Sequence, residues 1–180
     1  MPAYETVLNF WFEEIEPAKW WVKDPQFDQL IVERFAQTHA SAIRCELFEW
    51  RESAHGRLAE IIVLDQFSRN MFRDTAESFA YDALALALAQ EAISAGAGDL
   101  LSPVERSFLY LPFMHSESLL IHEIAVGLYL ENGIESNLNF ELKHKAIIEQ
   151  FNRYPHRNAI LGRSSTPEEL AFLQQPGSGF

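Results

Sequence analysis

Apolar residues recur along this chain at the 3.6-residue spacing of an α-helix, and no segment has the clear alternation of a strand. Stripes of this kind lie within residues 79–93, 117–128 and 140–151. A longer pattern over residues 55–71 is apolar on every side around residues 61–64, which is typical of a helix buried all round. The pattern predicts an all-α protein of about seven or eight helices joined by short loops.

Helix starts are marked by capping sequences. Residues 102–105 (SPVE) and 166–169 (TPEE) each place a hydroxyl residue before Pro and a Glu three positions after it. The hydroxyl can accept from a free backbone N–H, and the Glu can reach back to the cap. Residues 24–25 (DP) are a weaker start, and residues 74–77 (DTAE) form another capping-box candidate. These starts support the helical prediction.

Length and charge limit the class of protein. The 180 residues fit one domain, so we expect a single all-α domain over residues 1–180. Lys and Arg number 14 against 26 Asp and Glu, which gives a formal net charge of −12. Nucleic acid and anionic membranes attract an excess of positive charge, so neither is expected as a partner of this acidic chain.

Targeting and cofactor motifs are absent from the sequence. The N-terminus lacks a basic n-region, and the apolar stretches are far shorter than the ~20 residues that span a bilayer. We therefore expect a cytoplasmic protein. A single Cys, Cys45, excludes an intrachain disulfide and a Cys-based zinc cluster. No Gly-rich phosphate loop occurs, so we assign no cofactor.

The first polar segment is 64–70 (LDQFSRN), at the end of the helix that is apolar all round. A buried unpaired charge is costly, so Asp65 and Arg69 are expected to pair at i, i+4 or with a neighbouring helix. Two interpretations stay open: a structural ion pair that fixes the helix, and the polar floor of a pocket.

The second polar segment is 151–158 (FNRYPHRN). Pro155 disfavours helix at Tyr154, so His156, Arg157 and Asn158 are expected in a turn just past a helix end. Arg157 can bind a carboxylate or phosphate in bidentate fashion. The alternative is that His156 and Arg157 cap the carbonyls of the preceding helix.

The third polar segment, 112–117 (PFMHSE), offers His115 and Glu117, while His144 lies on an apolar stripe. None of the six His has the spacing of a known metal site, and hydrogen-bonded core histidines are the favoured interpretation, so no metal is assigned. Ser116 and its neighbours diverge by ~100° per residue on a helix, which disfavours a catalytic triad. The aromatic residues at 10–12 and 20–21 are interpreted as core rather than as a base-stacking platform.

Five motifs in a fixed order carry a family resemblance: 9–12 (NFWF), 64–70 (LDQFSRN), 112–117 (PFMHSE), 155–158 (PHRN) and 161–163 (LGR). The chain resembles the bacterial "domain of unknown function 924" family from about Val7 to the C-terminal PGSGF. The resemblance implies an all-α, tetratricopeptide-like array of antiparallel helical hairpins in a right-handed superhelix. The family has no established activity, so the resemblance implies no catalytic residue.

The resemblance does supply signature positions, and the chain departs from the family at four places. Ser68 stands where Pro is usual, Asn152 and Tyr154 where Gly and Phe are usual, and His122 where Gln is usual. The signature positions present here are Asp65, Gln66, Arg69, Asn70, His115, Ser116, Glu117, His144, Arg153, His156, Arg157 and Asn158.

Three hypotheses follow. The leading one is a tetratricopeptide-like binding protein whose polar groove receives an acidic peptide or a small carboxylate or phosphate ligand. Its expected ligand-binding residues are Asp65, Gln66, Arg69, Asn70, His144, Arg153, Arg157 and Asn158. The rival is an enzyme in which His115 or His156 is the general acid/base, Glu117 orients it and Arg157 holds a substrate anion. In the third, the motifs only lock helices together. The sequence does not decide the oligomeric state.

Overall fold

Every regular element that the computed structural model describes, over residues 3–179, is helical. The α-helices are α1 Tyr4–Asn9, α2 Pro25–Ala42, α3 Ala54–Ile62, α4 Ser68–Met71, α5 Asp82–Ser94, α6 Pro103–Met114, α7 Leu119–Asn132, α8 Glu135–Phe151 and α9 Pro167–Leu173. π-helical turns cover Phe10–Glu14 and Val63–Phe67, and 3-10 turns cover Pro17–Trp21, Phe48–Glu52, Ala76–Phe79, Ala97–Leu100 and Pro155–Arg157. The turn Val63–Phe67 joins α3 to α4 without a break in helical dihedrals, so eight separate α-helices lie within residues 3–179.

The predicted helix starts are confirmed in three of four cases. Ser102 and Thr166 each form a capping box with the Glu three residues later, and Asp24 accepts from the backbone N–H groups at the start of α2. The candidate at residues 74–77 does not form. Asp74 takes a left-handed φ of 62°, and the 3-10 turn that follows begins after Thr75 with no side-chain cap.

The last long helix, α8, ends earlier than Pro155 alone predicts. Asn152 takes a left-handed φ of 57° and ends the helix at Phe151. Asn tolerates this conformation better than most residues other than Gly, because its side chain hydrogen-bonds locally. The early end leaves residues 152–158 to form the turn that carries His156 and Arg157.

The core forms around α3 and the π-helical turn after it. Val63, Leu64 and Phe67 are fully buried, as the all-round apolar pattern predicts. Trp11 packs edge-on against Phe67, with ring centroids 5.6 Å apart. The N-terminal aromatics therefore belong to the core, except that Trp21 is 64% exposed while its ring stacks on a core Phe.

The C-terminal half places α7 between α6 and α8, and α6 also packs against α3 and α5. The turn at residues 115–118, between α6 and α7, thereby lies against the π-helical turn after α3. The 3-10 turn Pro155–Arg157 packs near the same point and contacts α9. This meeting of three non-consecutive segments creates the polar cluster described below. The tetratricopeptide-like winding of the array stays a prediction.

Two glycines give opposite predictions for the same substitution. A Cβ on Gly56 would lie 2.0 Å from the carbonyl oxygen of Trp50, whereas one on Gly127 in α7 would meet nothing within 4 Å. Gly56→Ala should lower the free energy of unfolding by about 2 kcal/mol through overpacking. Gly127→Ala should raise it by about 1 kcal/mol through helix propensity. Urea unfolding measures both, and equal effects of the two changes would contradict this account.

Candidate functional site

The candidate site is built around the carboxylate of Asp65, in the middle of the π-helical turn Val63–Phe67. π-helical turns are rare in proteins, and those that do occur are often found at functional sites. The Asp65 side chain is 1% exposed. Its oxygens accept from His115 Nδ1 at 2.7 Å, Gln66 Nε2 at 2.7 Å and Arg69 Nη1 at 3.3 Å. The predicted i, i+4 pair of Asp65 and Arg69 therefore forms, together with a longer-range partner.

His115 is held by Asp65 in one orientation. The pKa of His115 is lowered, first by burial and then by the guanidinium of Arg69. Burial raises the pKa of Asp65, but His115 and Arg69 lower it by more, so that it lies well below its usual range. The stable state at neutral pH is thus a carboxylate that accepts the Nδ1–H of a neutral imidazole. This tautomer leaves the lone pair on Nε2, where the ring can act as an acceptor or base.

The hydrogen-bonded pair of Asp65 and His115 is called the dyad below. Two guanidinium groups flank it and share the carboxylate of Asp82, the first residue of α5. Arg69 Nη1 and Nη2 donate to the two Asp82 oxygens at 2.8 and 2.9 Å, and Arg157 Nη1 lies 3.5 Å from Asp82 Oδ2. The ring of Phe79 lies 4.5 Å from the Arg157 guanidinium carbon and 5.5 Å from that of Arg69. Two cations and two carboxylates thus balance each other in a largely buried cluster.

Arg157 also reaches the turn that carries the imidazole. Its Nη2 donates to the His115 carbonyl oxygen at 2.9 Å, while its buried Nε has no hydrogen-bond partner within residues 3–179. The pKa of Arg157 is lowered, first by burial and then by Arg69, whereas the carboxylates of Asp82 and Glu117 oppose that shift. The buried Nε–H of this 7% exposed guanidinium is therefore left without an acceptor among residues 3–179.

The other predicted catalytic residues, Glu117 and His156, lie near the dyad but have other partners. Glu117 does not contact the His115 ring; it accepts from Arg163 at 2.8 and 2.9 Å and from the Tyr154 backbone N–H at 2.7 Å. Asp65 holds the orienting position that the sequence assigned to Glu117. His156 lies beside the Tyr154 ring, and its pKa is lowered to about 4, first by burial and then by Arg157.

His144 is buried and lies edge-on to the Tyr154 ring, with the two ring centroids 5.8 Å apart. Its Nδ1–H donates to the Phe140 carbonyl oxygen at 2.7 Å. Burial lowers the pKa of His144 to about 3. A ring that is neutral and bonded to backbone fits the hydrogen-bonded core histidine that the sequence favoured.

Three of the predicted ligand-binding residues serve contacts outside the dyad. Asn70 donates to Asp28 of α2 at 2.8 Å. Arg153 pairs with Glu169 of α9 at 2.7 and 2.8 Å, and Asn158 donates to the same Glu169 at 3.2 Å. The structure thus gathers Asp65, Gln66, Arg69, His115 and Arg157 and separates these three from them. No group of three or more His, Cys, Asp or Glu within residues 3–179 has the geometry of a metal site.

Sequence reasoning missed Asp82, Phe79 and the polar role of Tyr154. Asp82 stands on an apolar stripe at the start of a helix, where an acidic residue also has a local explanation in the helix dipole. Only the fold brings it to Arg69, 13 residues earlier, and to Arg157, 75 residues later. The one sequence signal is a concentration of Arg in or beside the two polar segments, which predicts acidic partners that could be internal carboxylates or a ligand. These residues are Arg69, Arg73, Arg153, Arg157 and Arg163.

Comparisons with known proteins agree with this fold. A family model described as "Bacterial protein of unknown function (DUF924)" matches residues 7–177. The solved structure of a protein of unknown function, ATU0120, from Agrobacterium tumefaciens is similar, with a TM-score of 0.91 and 41% identity over 95% of this chain and 96% of that one. Curated proteins give no match. Within residues 3–179, no helix is long and apolar enough to cross a membrane.

The buried histidines predict an acid-dependent stability. An unfolded His titrates near pH ~6.5, whereas the folded pKa values of His144 and His156 are about 3 and about 4. As the pH falls below ~6.5, protons bind the unfolded chain and not the folded one, so the free energy of unfolding decreases. His156→Gln should reduce this slope by about 1 kcal/mol per pH unit between about pH 6 and pH 4.5.

Urea unfolding across that pH range measures the slope. Asn139→Gln, a change at an exposed residue that carries no titratable group, is the control and should leave the slope unchanged. If the free energy of unfolding changes with pH equally in His156→Gln and in the wild-type protein, the His156 ring does not have this role.

Proposed function

The chain belongs to the DUF924 family of bacterial proteins of unknown function, and from the geometry of its own residues we propose that it binds a small organic anion at Arg157 and Arg69, beside the His115 ring. Of the three hypotheses that the sequence left open, this is the binding hypothesis in its small-ligand form. The ligand class is a carboxylate or phosphate, because both match the planar fork of a guanidinium in two-point pairing.

The observation that carries this proposal is the surplus donor of Arg157. Its Nε–H is buried and has no hydrogen-bond partner within the described residues 3–179. Burying a donor without an acceptor costs ~1–3 kcal/mol, so native structures rarely keep one without a reason. An anionic oxygen beside Arg157 would satisfy this donor.

One internal ion pair in the cluster resembles the contacts that such a ligand would make. The Asp82 carboxylate receives two parallel hydrogen bonds from Arg69 and faces Arg157, which is the stereochemistry that a free carboxylate would adopt. Asp82 keeps the cations neutralised when no ligand is bound, so the site selects an anion that improves on this internal pair. The half-buried ring of Phe79 adds a cation–π face beneath both guanidiniums.

Binding can be tested by thermal unfolding in the presence of inorganic phosphate, acetate, succinate and a short Glu-rich peptide. An anion at 100 times its Kd should stabilise the native state by ~2.7 kcal/mol. Arg157→Lys keeps the charge but removes the fork and Nε–H, so it should abolish the shift. A shift from the peptide alone would favour the peptide form of the binding hypothesis.

Arg51→Lys is the matched control, because Arg51 is also a bidentate partner of a carboxylate, Glu60, but lies outside the cluster. This variant should retain the anion shift of the wild-type protein. Absence of any shift in the wild-type protein, or an equal shift in Arg157→Lys, would refute the proposed site.

A second candidate, an enzyme with His115 as general base, is favoured by the Asp65–His115 dyad. A buried carboxylate that accepts Nδ1–H and leaves Nε2 as the base is the arrangement used in hydrolytic triads. Asp65, rather than Glu117, would orient the ring, and Arg157 would hold the anion. No nucleophilic side chain is assigned, so the base would act on water or on the ligand itself.

The enzyme candidate predicts a difference between binding and turnover. His115→Gln should leave the anion-induced thermal shift in place and lower hydrolysis of 4-nitrophenyl acetate by ~100-fold, in the range expected for loss of a general base. Hydrolysis that persists in this variant would place the activity elsewhere. Equal rates with and without wild-type protein would leave binding as the function.

A further inference from the structure

Three successive backbone carbonyls around His115 are each held by a buried side chain. They belong to residues 114, 115 and 116, just where α6 ends and its last carbonyls lack helical partners. The donors and distances are Tyr154 Oη to Met114 O at 2.5 Å, Arg157 Nη2 to His115 O at 2.9 Å and His122 Nε2 to Ser116 O at 2.8 Å. The backbone that carries the dyad imidazole is thus fixed at three points.

The third of these donors, His122, depends on a partner of its own. His122 and Glu141 are both fully buried, on α7 and α8, and His122 Nδ1 lies 2.6 Å from Glu141 Oε1. A carbonyl oxygen only accepts, so the contact with Ser116 O requires hydrogen on His122 Nε2. A second hydrogen must then lie between Nδ1 and Oε1, whichever of the two atoms carries it.

This second hydrogen links Glu141 to the turn. Without it, either a lone pair on Nδ1 faces the Glu141 carboxylate, or Nδ1 takes the remaining hydrogen and a lone pair on Nε2 faces Ser116 O. Both arrangements are repulsive in a buried site. The 2.6 Å separation of His122 Nδ1 and Glu141 Oε1 requires this hydrogen. Burial raises the pKa of Glu141, which favours keeping it, and Glu141 Oε2 has no hydrogen-bond partner in residues 3–179.

The groups that face the pair do not supply a substitute proton donor. They are Tyr129 on α7, His144 and Lys145 on α8 and Tyr154 after α8. The Tyr154 hydroxyl already donates to Met114 O and lies 3.1 Å from His122 Nε2, where it can only accept. Lys145 is directed to Glu149, one turn further along α8.

We propose that Glu141 and His122 are positioning residues for His115, and that the proton they share keeps the Ser116 carbonyl in place and the imidazole aimed at Asp65. This inference rests on the proposed function and deepens it. A site that holds an anion beside His115 Nε2 needs one fixed tautomer of the His115 ring. Neither residue touches the ligand position.

The tautomer of His115 can be read directly by two-bond ¹H–¹⁵N correlation spectra of the uniformly labelled full chain at pH 7, with no anion added. The wild-type ring should show a protonated Nδ1 and a bare Nε2. Glu141→Gln should keep this pattern, because the amide N–H can donate to His122 Nδ1 while Nε2–H still reaches Ser116 O. Glu141→Leu removes that partner and should lower the ratio of the two His115 tautomers by at least ~10-fold, equivalent to ~1.4 kcal/mol.

A second pair of variants keeps the test decisive if Glu141→Leu does not fold. His122→Gln places an amide nitrogen near the position of Nε2 and should keep the His115 tautomer. His122→Asn reaches only the position of Nδ1 and should lose it. Asn132→Ala is the control, since Asn132 is a largely buried polar residue at the other end of α7, bonded to Arg106 and Pro103.

A fixed His115 tautomer in Glu141→Leu would overturn the positioning role, and if Glu141→Leu does not fold, a fixed tautomer in His122→Asn would overturn it. So would an equal loss in Asn132→Ala, because general destabilisation would then explain it. The measurement contains no anion, so failure of the anion screen and failure of this inference are separate results.

Discussion

The buried charge of Asp65 is the constraint on which the arrangement of this protein's polar residues depends. A carboxylate with 1% exposure inside an all-helical core is tolerated only if donors surround it. They come from its own turn, in Gln66, from α4, in Arg69, and from the end of α6, in His115. Since α6 has to present His115 at this point, the packing of α6 on α3 and the polar cluster are fixed together.

The cluster satisfies part of the structural hypothesis and part of the functional one. Its charges are paired, as a set of helix-locking contacts would be. The pairing is incomplete at Arg157 Nε, and the His115 ring is directed by a carboxylate although backbone or solvent would have satisfied Nδ1 equally well. Internal ion pairs and a preorganised site are compatible, because the pairs hold the guanidiniums in place before a ligand arrives.

A second set of contacts explains why the turn at residues 154–158 is fixed although it is not regular helix. Arg163 binds Glu117 with both terminal nitrogens and also donates to the Tyr154 carbonyl. Arg153 ties the same region to Glu169 in the capping box of α9. Of these residues the sequence assigned Arg153 to a ligand and Glu117 to orienting a histidine, whereas both are occupied by internal ion pairs.

The sequence by itself determined the helices, most of their starts and the Asp65–Arg69 pair, because helix periodicity, caps and i, i+4 contacts depend on residues a few positions apart. It also located the polar segments, through the mismatch between charged residues and an apolar surrounding. Only the tertiary structure decided that Asp65 rather than Glu117 holds His115, that Asp82 joins Arg69 and Arg157, and that His122 pairs with Glu141. Those choices join residues from 13 to 75 positions apart. They follow from which helix ends meet after the core has packed, and no local rule along the chain encodes that meeting.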